Sequence, residues 1–158
     1  MIRKVTILLA VMSAAAAAQS SNGYLFVAPG GVTSGGYTSM TIQAGAGADI
    51  HLVKGLGLNL ELGAVGPRDD FSAVVGMFSP GATWYFRRGK ELKLEPFVNG
   101  GYTLMFREGH ANLFYFGGGA NYWASRRVGL RFEFRDQVYA VCCSTSHFWG
   151  FRLGLALR

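Results

Sequence analysis

The residues best placed to do chemistry are Asp49 and His51, which stand two apart in the sequence. Because residues two apart share a face of an extended strand, this carboxylate and imidazole would lie side by side, as in a proton relay or a metal site. A metal site needs further ligands at suitable spacing, and none stands near this pair. The pattern favours a satisfied histidine in the protein interior, and the sequence predicts no metal and no cofactor.

Ser146 and His147 are the other candidates, because a hydrolase acting on lipid would need a serine, a histidine and an acid that converge. Adjacent strand residues point to opposite faces, so these two make a poor pair and loop positions are favoured. The stretch GAGADI lacks the third glycine and the following helix of a dinucleotide-binding fingerprint. Charges at Arg68–Asp70 and Arg107–Glu108 are typical of solvated turns. No catalytic residue is predicted, and the chain is predicted not to be an enzyme.

Cys142 and Cys143 are the two cysteines, and they are adjacent. Neighbouring residues seldom reach good disulfide geometry, so this pair cannot connect distant parts of the fold. The pattern favours two loop residues, as free thiols or a strained vicinal disulfide. An intermolecular or redox-sensitive contact is the alternative.

Length and composition point to one small exported domain. Only 15% of the 158 residues are charged, against roughly 25% in an average soluble domain. Arg3 and Lys4, an apolar run and small residues ending at Ala18 have the layout of a secretory signal peptide. We therefore expect a signal peptide over 1–18 and one domain over 19–158. Removal of Arg3 and Lys4 would lower the formal net charge from +6 to +4, which does not indicate a nucleic-acid partner.

After this segment, apolar residues recur with a period of two, which is typical of strands with two unlike faces. The pattern predicts eight strands: Gly23–Ala28, Ser39–Val53, Leu56–Val65, Phe71–Phe86, Leu94–Phe106, Leu113–Ala124, Val128–Tyr139 and His147–Leu157. Tight breaks alternate with longer ones at Pro29–Thr38 and Ala140–Ser146, which indicates an antiparallel meander. Pro80 falls within the fourth strand and predicts a bulge at Ser79–Gly81, because proline cannot donate to a ladder.

The two faces of the strands predict an all-β, eight-stranded, up-and-down transmembrane barrel whose large apolar side chains face lipid. The residues predicted to face lipid are Leu58, Leu60, Leu62, Phe132, Phe134, Trp149, Phe151 and Leu153. The other face is rich in glycine, which suits the crowded inside of a narrow barrel. The aromatic residues near strand ends predict two interfacial girdles, of Trp84, Tyr85, Phe86, Tyr122 and Trp123 at one end and Tyr37, Tyr139, Phe148 and Trp149 at the other.

Charged residues fall on the inward parity and must pair there, because a lone buried charge costs several kcal/mol. The predicted interior network comprises Asp49, His51, Glu61, Glu95, Arg131, Glu133, Arg135 and Arg152. The expected result is a polar plug rather than an open channel. The alternatives are a soluble, secreted, lipocalin-like ligand-binding barrel with the faces reversed, and a small pore.

Over nearly all of the chain after residue 18, the sequence resembles the small OmpA-like outer-membrane β-barrel domains of Gram-negative bacteria. The resemblance is carried by LGLNLELGA, PFVNGGYTL, FYFGGGANYWASRRVGLRFEFRD and FWGFRLGLALR. It implies a monomer in the cell outer membrane, with both termini at the periplasmic side and with outer-membrane lipids and the assembly machinery as partners. Many such proteins end on an aromatic residue, whereas this sequence ends on Arg158, a departure that bears on the assembly signal. We therefore expect no peptidoglycan-binding domain after the barrel and no anchoring role.

Basic residues cluster at the predicted periplasmic rim, namely Lys54, Arg87, Arg88, Lys90, Arg126, Arg127 and Arg158. They predict either attraction to anionic headgroups or ordinary turn composition. The expected role is structural or interactive, with the partner of the outer loops unspecified.

Overall fold

The computed structural model describes residues 21–53, 55–86, 92–141 and 144–158. The predicted signal peptide, the adjacent cysteines Cys142 and Cys143, and the rim residues Lys54, Arg87, Arg88 and Lys90 lie outside these ranges. The described residues form eight strands: β1 Asn22–Ser34, β2 Tyr37–Val53, β3 Leu56–Pro67, β4 Val75–Tyr85, β5 Leu94–Phe106, β6 His110–Trp123, β7 Val128–Val141 and β8 Ser144–Leu157.

Each strand pairs antiparallel with its neighbours in the sequence, and β1 pairs with β8 to close the barrel. The predicted eight-stranded up-and-down barrel is therefore confirmed. Closure leaves no strand edge unpaired, which is the only sheet arrangement that hydrocarbon tolerates. None of the described residues belongs to a helix long and apolar enough to cross a membrane.

The pairing register fixes the stagger of the strands. Followed from strand to strand around the barrel, the partners of Met40 lead back to β2 at Ile50, ten residues further along. With strands about 4.7 Å apart and a rise of about 3.3 Å per residue, this stagger corresponds to a tilt of about 40°. An eight-stranded barrel of this kind has an interior that side chains fill.

Two connections at the outer end are shorter than the sequence predicts. The longer break predicted at Pro29–Thr38 is wrong, because β1 continues to Ser34 and a turn at Gly35 and Gly36 leads into Tyr37. Both glycines have positive φ, 57° and 85°, which matches the hairpin turn whose twist suits the strands. The break predicted at Ala140–Ser146 is likewise too long, since β7 reaches Val141 and β8 begins at Ser144.

The fourth strand also differs from its prediction. It begins at Val75, and Phe71–Ala73 form a short 3-10 helix instead, capped by Asp70. The predicted bulge at Ser79–Gly81 is wrong, because Pro80 pairs with Leu60 in an unbroken β3 register. Towards β5 the ladder omits Ser79 and Pro80 and resumes in the same register, so the missing N–H leaves a gap and not a bulge. A register shift does occur between His51 and Val53.

Candidate functional site

The barrel interior is the candidate site, because the inward parity brings charged side chains from five strands together. Asp49 on β2 is fully buried and accepts four hydrogen bonds. Asn59 Nδ2 and Thr83 Oγ1 donate to its Oδ1 at 2.9 and 2.8 Å, and Tyr85 OH donates to its Oδ2 at 2.7 Å. Arg131 Nη1 completes the set at 3.0 Å from Oδ2. A carboxylate can be buried when its lone pairs are satisfied in this way.

Glu133 lies between two arginines of its own strand, because residues two apart on β7 share the inward face. Arg131 Nε donates to Glu133 Oε2 at 3.0 Å, and Arg135 Nε donates to Oε1 at 2.6 Å. Asn99 Nδ2 donates to Oε1 from β5 at 3.1 Å. The stretch RFEFRD therefore supplies three of the interior charges from one strand and presents the two phenylalanines between them on the opposite face.

Glu61 on β3 joins β7 to β8 across the interior. Arg152 Nη1 lies 2.8 and 2.7 Å from its two oxygens, and Arg135 Nη1 lies 3.1 Å from Oε1. Tyr24 OH donates to Oε2 at 3.0 Å. One carboxylate thus pairs with two guanidinium groups and one phenol, and all of these side chains are buried.

A fourth carboxylate, Glu95, lies at the end of the barrel that holds the chain termini. Arg158 Nη1 lies 3.0 Å from its Oε1, and Trp123 Nε1 donates to its Oε2 at 2.7 Å. The side chain of Arg158 therefore turns into the barrel mouth, away from the rim where the sequence places it. Asp49, Glu61, Glu95 and Glu133 together match Arg131, Arg135, Arg152 and Arg158 in charge.

Each of these arginines also lies over an aromatic ring. Arg131 Cζ lies 4.2 Å from the Tyr24 centroid and 4.0 Å from that of Phe97. The other three pairs have the same geometry, with distances of 4.0–4.2 Å: Arg135 over Tyr115, Arg152 over Phe26 and Arg158 over Trp123. A desolvated cation over a ring gains about 2 kcal/mol, which offsets part of the cost of burying it. The sequence gives these rings the inward parity of their strands, but it does not show that they lie over the guanidinium groups or that phenol and amide groups donate to the carboxylates.

His51 is buried and lies against Tyr85, with ring centroids 5.2 Å apart. Asp49 directs its oxygens to Asn59, Thr83, Tyr85 and Arg131. Among the described residues, no group of three or more histidine, cysteine or acidic side chains is arranged to hold a metal ion.

Above the charged layer, towards the outer end, the interior becomes apolar. Gln137 lies between the two zones: its Oε1 accepts from Gln43 Nε2 at 3.3 Å, and its Nε2 lies 3.9 Å from Met77 Sδ. Gln43 in turn accepts from Arg152 Nη2 at 3.3 Å. The apolar cap is a buried cluster of Val65, Met77, Met105 and Leu113, with Val75, Ala111, Tyr139 and Phe148 packed against it. Sequence reasoning missed this cap, although each member has the inward parity of its strand.

The outer wall carries the residues predicted to face lipid. Those with exposed side chains are Leu58, Leu60, Leu62, Phe132, Phe134, Phe151 and Leu153. Trp149 is half-buried, and its Nε1 donates to Thr33 Oγ1 at 3.2 Å. The girdle prediction is wrong for Tyr85 and Trp123, which are buried inside, and for Tyr139 and Phe148, which belong to the apolar cap. Trp84, Phe86 and Tyr122 are exposed on the outer wall at the same end as Trp123.

Ser146 and His147 do point to opposite faces. Ser146 Oγ donates to Ser34 Oγ at 2.9 Å, whereas His147 Nδ1 lies 2.8 Å from Asp136 Oδ2 on the outer wall. The sequence predicts that Asp136 faces outward and can meet His147, because Asp136 shares the parity of Phe132 and Phe134 rather than that of Arg135.

At the tip of the connection between β3 and β4, hydrogen bonds from Ser72 hold the pKa of the exposed Asp70 below its ordinary value.

Three solved structures have the same architecture. Neisserial surface protein A aligns with a TM-score of 0.63 and 12% identity over 87% of this chain and 96% of its own. The N-terminal β-barrel domain of Pseudomonas aeruginosa OprF gives 0.59 and 15% over 85% and 96%. A de novo designed transmembrane β-barrel gives 0.56 and 16% over 86% and 93%. No family model matches the sequence, and the comparison with curated proteins found no significant match.

These likenesses, at low identity, concern the fold. The chain has the fold of the small eight-stranded transmembrane β-barrels, and one of the three barrels compared is a surface protein by its name. The resemblance to OmpA-like barrels indicated by the sequence is therefore confirmed at the level of architecture.

Proposed function

We propose that this chain is a monomeric, integral protein of the bacterial outer membrane with a structural or surface-interaction role and no enzymatic activity. The observation that carries the proposal is the inverted distribution of side chains. Large apolar residues are exposed around the outer wall, whereas arginines and carboxylates are buried around the axis. This arrangement suits hydrocarbon outside and charge pairing inside.

The soluble, lipocalin-like alternative needs the opposite distribution. A barrel in water would expose Arg131, Arg135 and Arg152 and bury Phe132 and Phe134, but the exposed fraction is 2% for each of these arginines and 47% and 42% for the phenylalanines. Continuous exposed apolar surface of this kind marks contact with a membrane or partner. Outer-membrane lipids are therefore the proposed surroundings, and the assembly machinery the proposed route of insertion.

The short outer connections favour the structural role over loop display. A turn at Gly35 and Gly36 joins β1 to β2, and residues 107–109 join β5 to β6. The longest described outer connection, residues 68–74, contains the 3-10 helix. At the opposite end, Arg126 and Arg127 are exposed and remain available for the proposed contact with anionic headgroups.

A plugged interior is part of the proposal. The ion-pair layer fills the middle of the barrel with matched charges, and the apolar cap supports closure at the outer end, because hydrophobic constrictions exclude water and ions. The small-pore alternative would need a continuous wet path through both zones.

The membrane proposal is tested by carbonate extraction and by gel mobility with and without boiling. A folded outer-membrane barrel stays with the membrane and changes mobility when boiled; recovery in the soluble fraction would overturn the proposal.

The plug is tested by conductance in a planar bilayer. The wild type should stay closed, and Glu133→Ala, which leaves Arg131 and Arg135 without their shared partner, should leak. Steady wild-type conductance would favour the small pore.

A further inference from the structure

The outer wall of the barrel carries polar side chains near the outer end of one side. Three hydrogen-bonded pairs lie there, on the strands from β5 round to β1: Tyr102 with Asn112, Asp136 with His147, and Trp149 with Thr33. All six side chains have the outward parity of their strands. The imidazole and the carboxylate are polar groups whichever ring nitrogen carries the proton.

The opposite wall, formed by β2, β3 and β4, is apolar over the same heights. Among the described residues, its outward positions hold only apolar side chains, glycine and proline over Met40–Leu52, Leu56–Gly66 and Gly76–Trp84. Apolar exposure continues into the connection between β3 and β4, where Phe71 is 74% and Val74 is 37% exposed. This wall therefore stays apolar up to the outer end of the barrel.

The pairing register gives the relative heights of the two walls. Cross-strand pairs lead from Met40 on β2, through β1 and β8, to Asp136 on β7. Because the stagger is ten residues over eight strands, a row of paired residues descends towards the end with the chain termini by about 1.25 residues per strand. Asp136 therefore lies about four residues lower than Met40 and level with Ala44, a difference of about 10 Å along the axis.

This depth matters because the cost of an ionisable group on the lipid face depends on it. The cost is high at the bilayer midplane and small near the membrane surface. Asp136 on the outer wall of β7 therefore calls for polar surroundings at its own height. At that height the wall of β2 still carries Ile42 and Met40 above it, with side chains 38% and 55% exposed.

We propose that the surface of the outer leaflet meets this barrel obliquely, about 10 Å lower beside β7 and β8 than beside β2 to β4. Headgroups and water reach the polar pairs, whereas acyl chains cover Met40 and Ile42. The partner of the polar side is thus the headgroup layer of a locally thinned leaflet. Because each polar side chain bonds to a neighbour on its own barrel, this side does not require a second copy of the chain. The inference rests on the proposed membrane insertion.

Two positions at one height provide the test. Val138 on β7 lies two residues above Asp136, and Ile42 on β2 lies two residues above Ala44, so the two are level. Spin labels are attached to Val138→Cys and Ile42→Cys, with the two native cysteines replaced by serine, in barrels folded in phosphatidylcholine vesicles. Collisions with a water-soluble nickel complex should dominate at position 138, and collisions with oxygen, which concentrates in hydrocarbon, should dominate at position 42. Equal behaviour of the two labels would overturn the proposal.

Variants then test whether the polar side chains set the boundary. Asp136→Leu combined with His147→Leu should change the label at position 138 from nickel collisions to oxygen collisions. Ala44→Leu combined with Ala46→Leu is the matched control, because it adds the same side chains to the opposite wall and removes no polar group. The control should leave both labels unchanged. Persistent nickel collisions at position 138 in the first variant would contradict the proposed role of the pair.

Labels in the middle of the apolar band separate this proposal from membrane insertion. At Leu60→Cys and Phe134→Cys, oxygen collisions are expected of an inserted barrel, and nickel collisions at both would contradict insertion itself. Oxygen collisions at both, with equal behaviour at positions 42 and 138, contradict the oblique boundary alone. A label at position 138 that neither reagent reaches would place a second protein against this wall and would also overturn the proposal. If the double leucine variant of the polar pair does not fold, the labels at positions 42 and 138 decide without it.

Discussion

Glu61 shows how single residues hold the interior together. Its two oxygens accept from Arg135, Arg152 and Tyr24, so one carboxylate balances two cations on neighbouring strands. Glu133 partners Arg135 from the other side, which leaves Arg152 with Glu61 as its only carboxylate partner in the described residues. Removing one member of such a buried pair costs more than the pair itself contributes, because a charge remains without compensation.

Glu61→Gln should therefore destabilise the folded barrel by about 3–5 kcal/mol, because the amide leaves Arg152 without a counter-charge. The measurement is the free energy of unfolding in urea, with the barrel in lipid vesicles. Glu108→Gln is the control, since a surface substitution at a loop tip changes stability by about 0.5 kcal/mol or less. Equal unfolding midpoints for the two variants would show that the ion pairs contribute little.

For single residues, the sequence predicts well on which side of the barrel wall a side chain lies, but it predicts poorly which residue that side chain contacts. Alternation alone puts Asp49, Glu61 and Arg152 inside, but it does not give the register that places Arg152 rather than Arg131 against Glu61. Position at the strand ends predicts a girdle that includes Tyr85 and Trp123, although the parity of both residues is inward. The parity of a residue in its strand decides whether its side chain lies inside or outside the barrel wall. Its position along the strand decides only its level along the barrel axis.

The strands themselves accommodate residues that the sequence marks as breaks. Pro29 lies within β1 and Pro80 within β4, and at each the ladder to one neighbouring strand is interrupted while the register stays the same. Each proline pairs normally on the other side, with Ile42 and Leu60 respectively. The proline and glycine residues therefore make the predicted β1 too short and predict a bulge in β4 that is not present. Both strands continue because the rest of the ladder holds the register where one N–H donor is missing.

The run Gly117–Gly118–Gly119 in β6 gives a sharper test at the scale of the element. An added Cβ at Gly119 would collide with the backbone carbonyl of Phe132 and lie 2.8 Å from Glu133 Cα, and backbone cannot move aside cheaply. At Gly118, one residue earlier and on the outer wall, the nearest atom is 3.4 Å away. The close approach of the β6 and β7 backbones thus requires glycine at position 119 but not at position 118.

Gly119→Ala should therefore disturb the pairing of β6 with β7 and lower the yield of refolded barrel, whereas Gly118→Ala should refold like the wild type. The measurement is the fraction of protein with the mobility of the folded form on an unboiled gel. The two variants carry the same side chain on the same strand, so a difference reports the local space. Equal refolding would contradict the close approach of β6 and β7.

Across the whole molecule, polarity changes in two directions. From wall to axis it runs from exposed leucine and phenylalanine to buried arginine and glutamate, and along the axis it runs from the Glu95–Arg158 pair to the apolar cap. The radial change was predictable because a period of two is visible in one strand. The axial change was not, since it depends on the ten-residue stagger, which emerges only when all eight strands pair.

The radial arrangement can be tested with tryptophans that the chain already contains. Trp84 and Trp123 lie at the same end of the barrel but on opposite sides of its wall, 47% and 3% exposed. In vesicles containing brominated lipid, a variant with Trp84 as its only tryptophan should be strongly quenched, because its indole meets the acyl chains. A variant with Trp123 alone should be quenched weakly, because its indole donates to Glu95 inside the barrel. Phenylalanine replaces the other tryptophans in each variant, and stronger quenching of Trp123 than of Trp84 would mean that the wall is inside out.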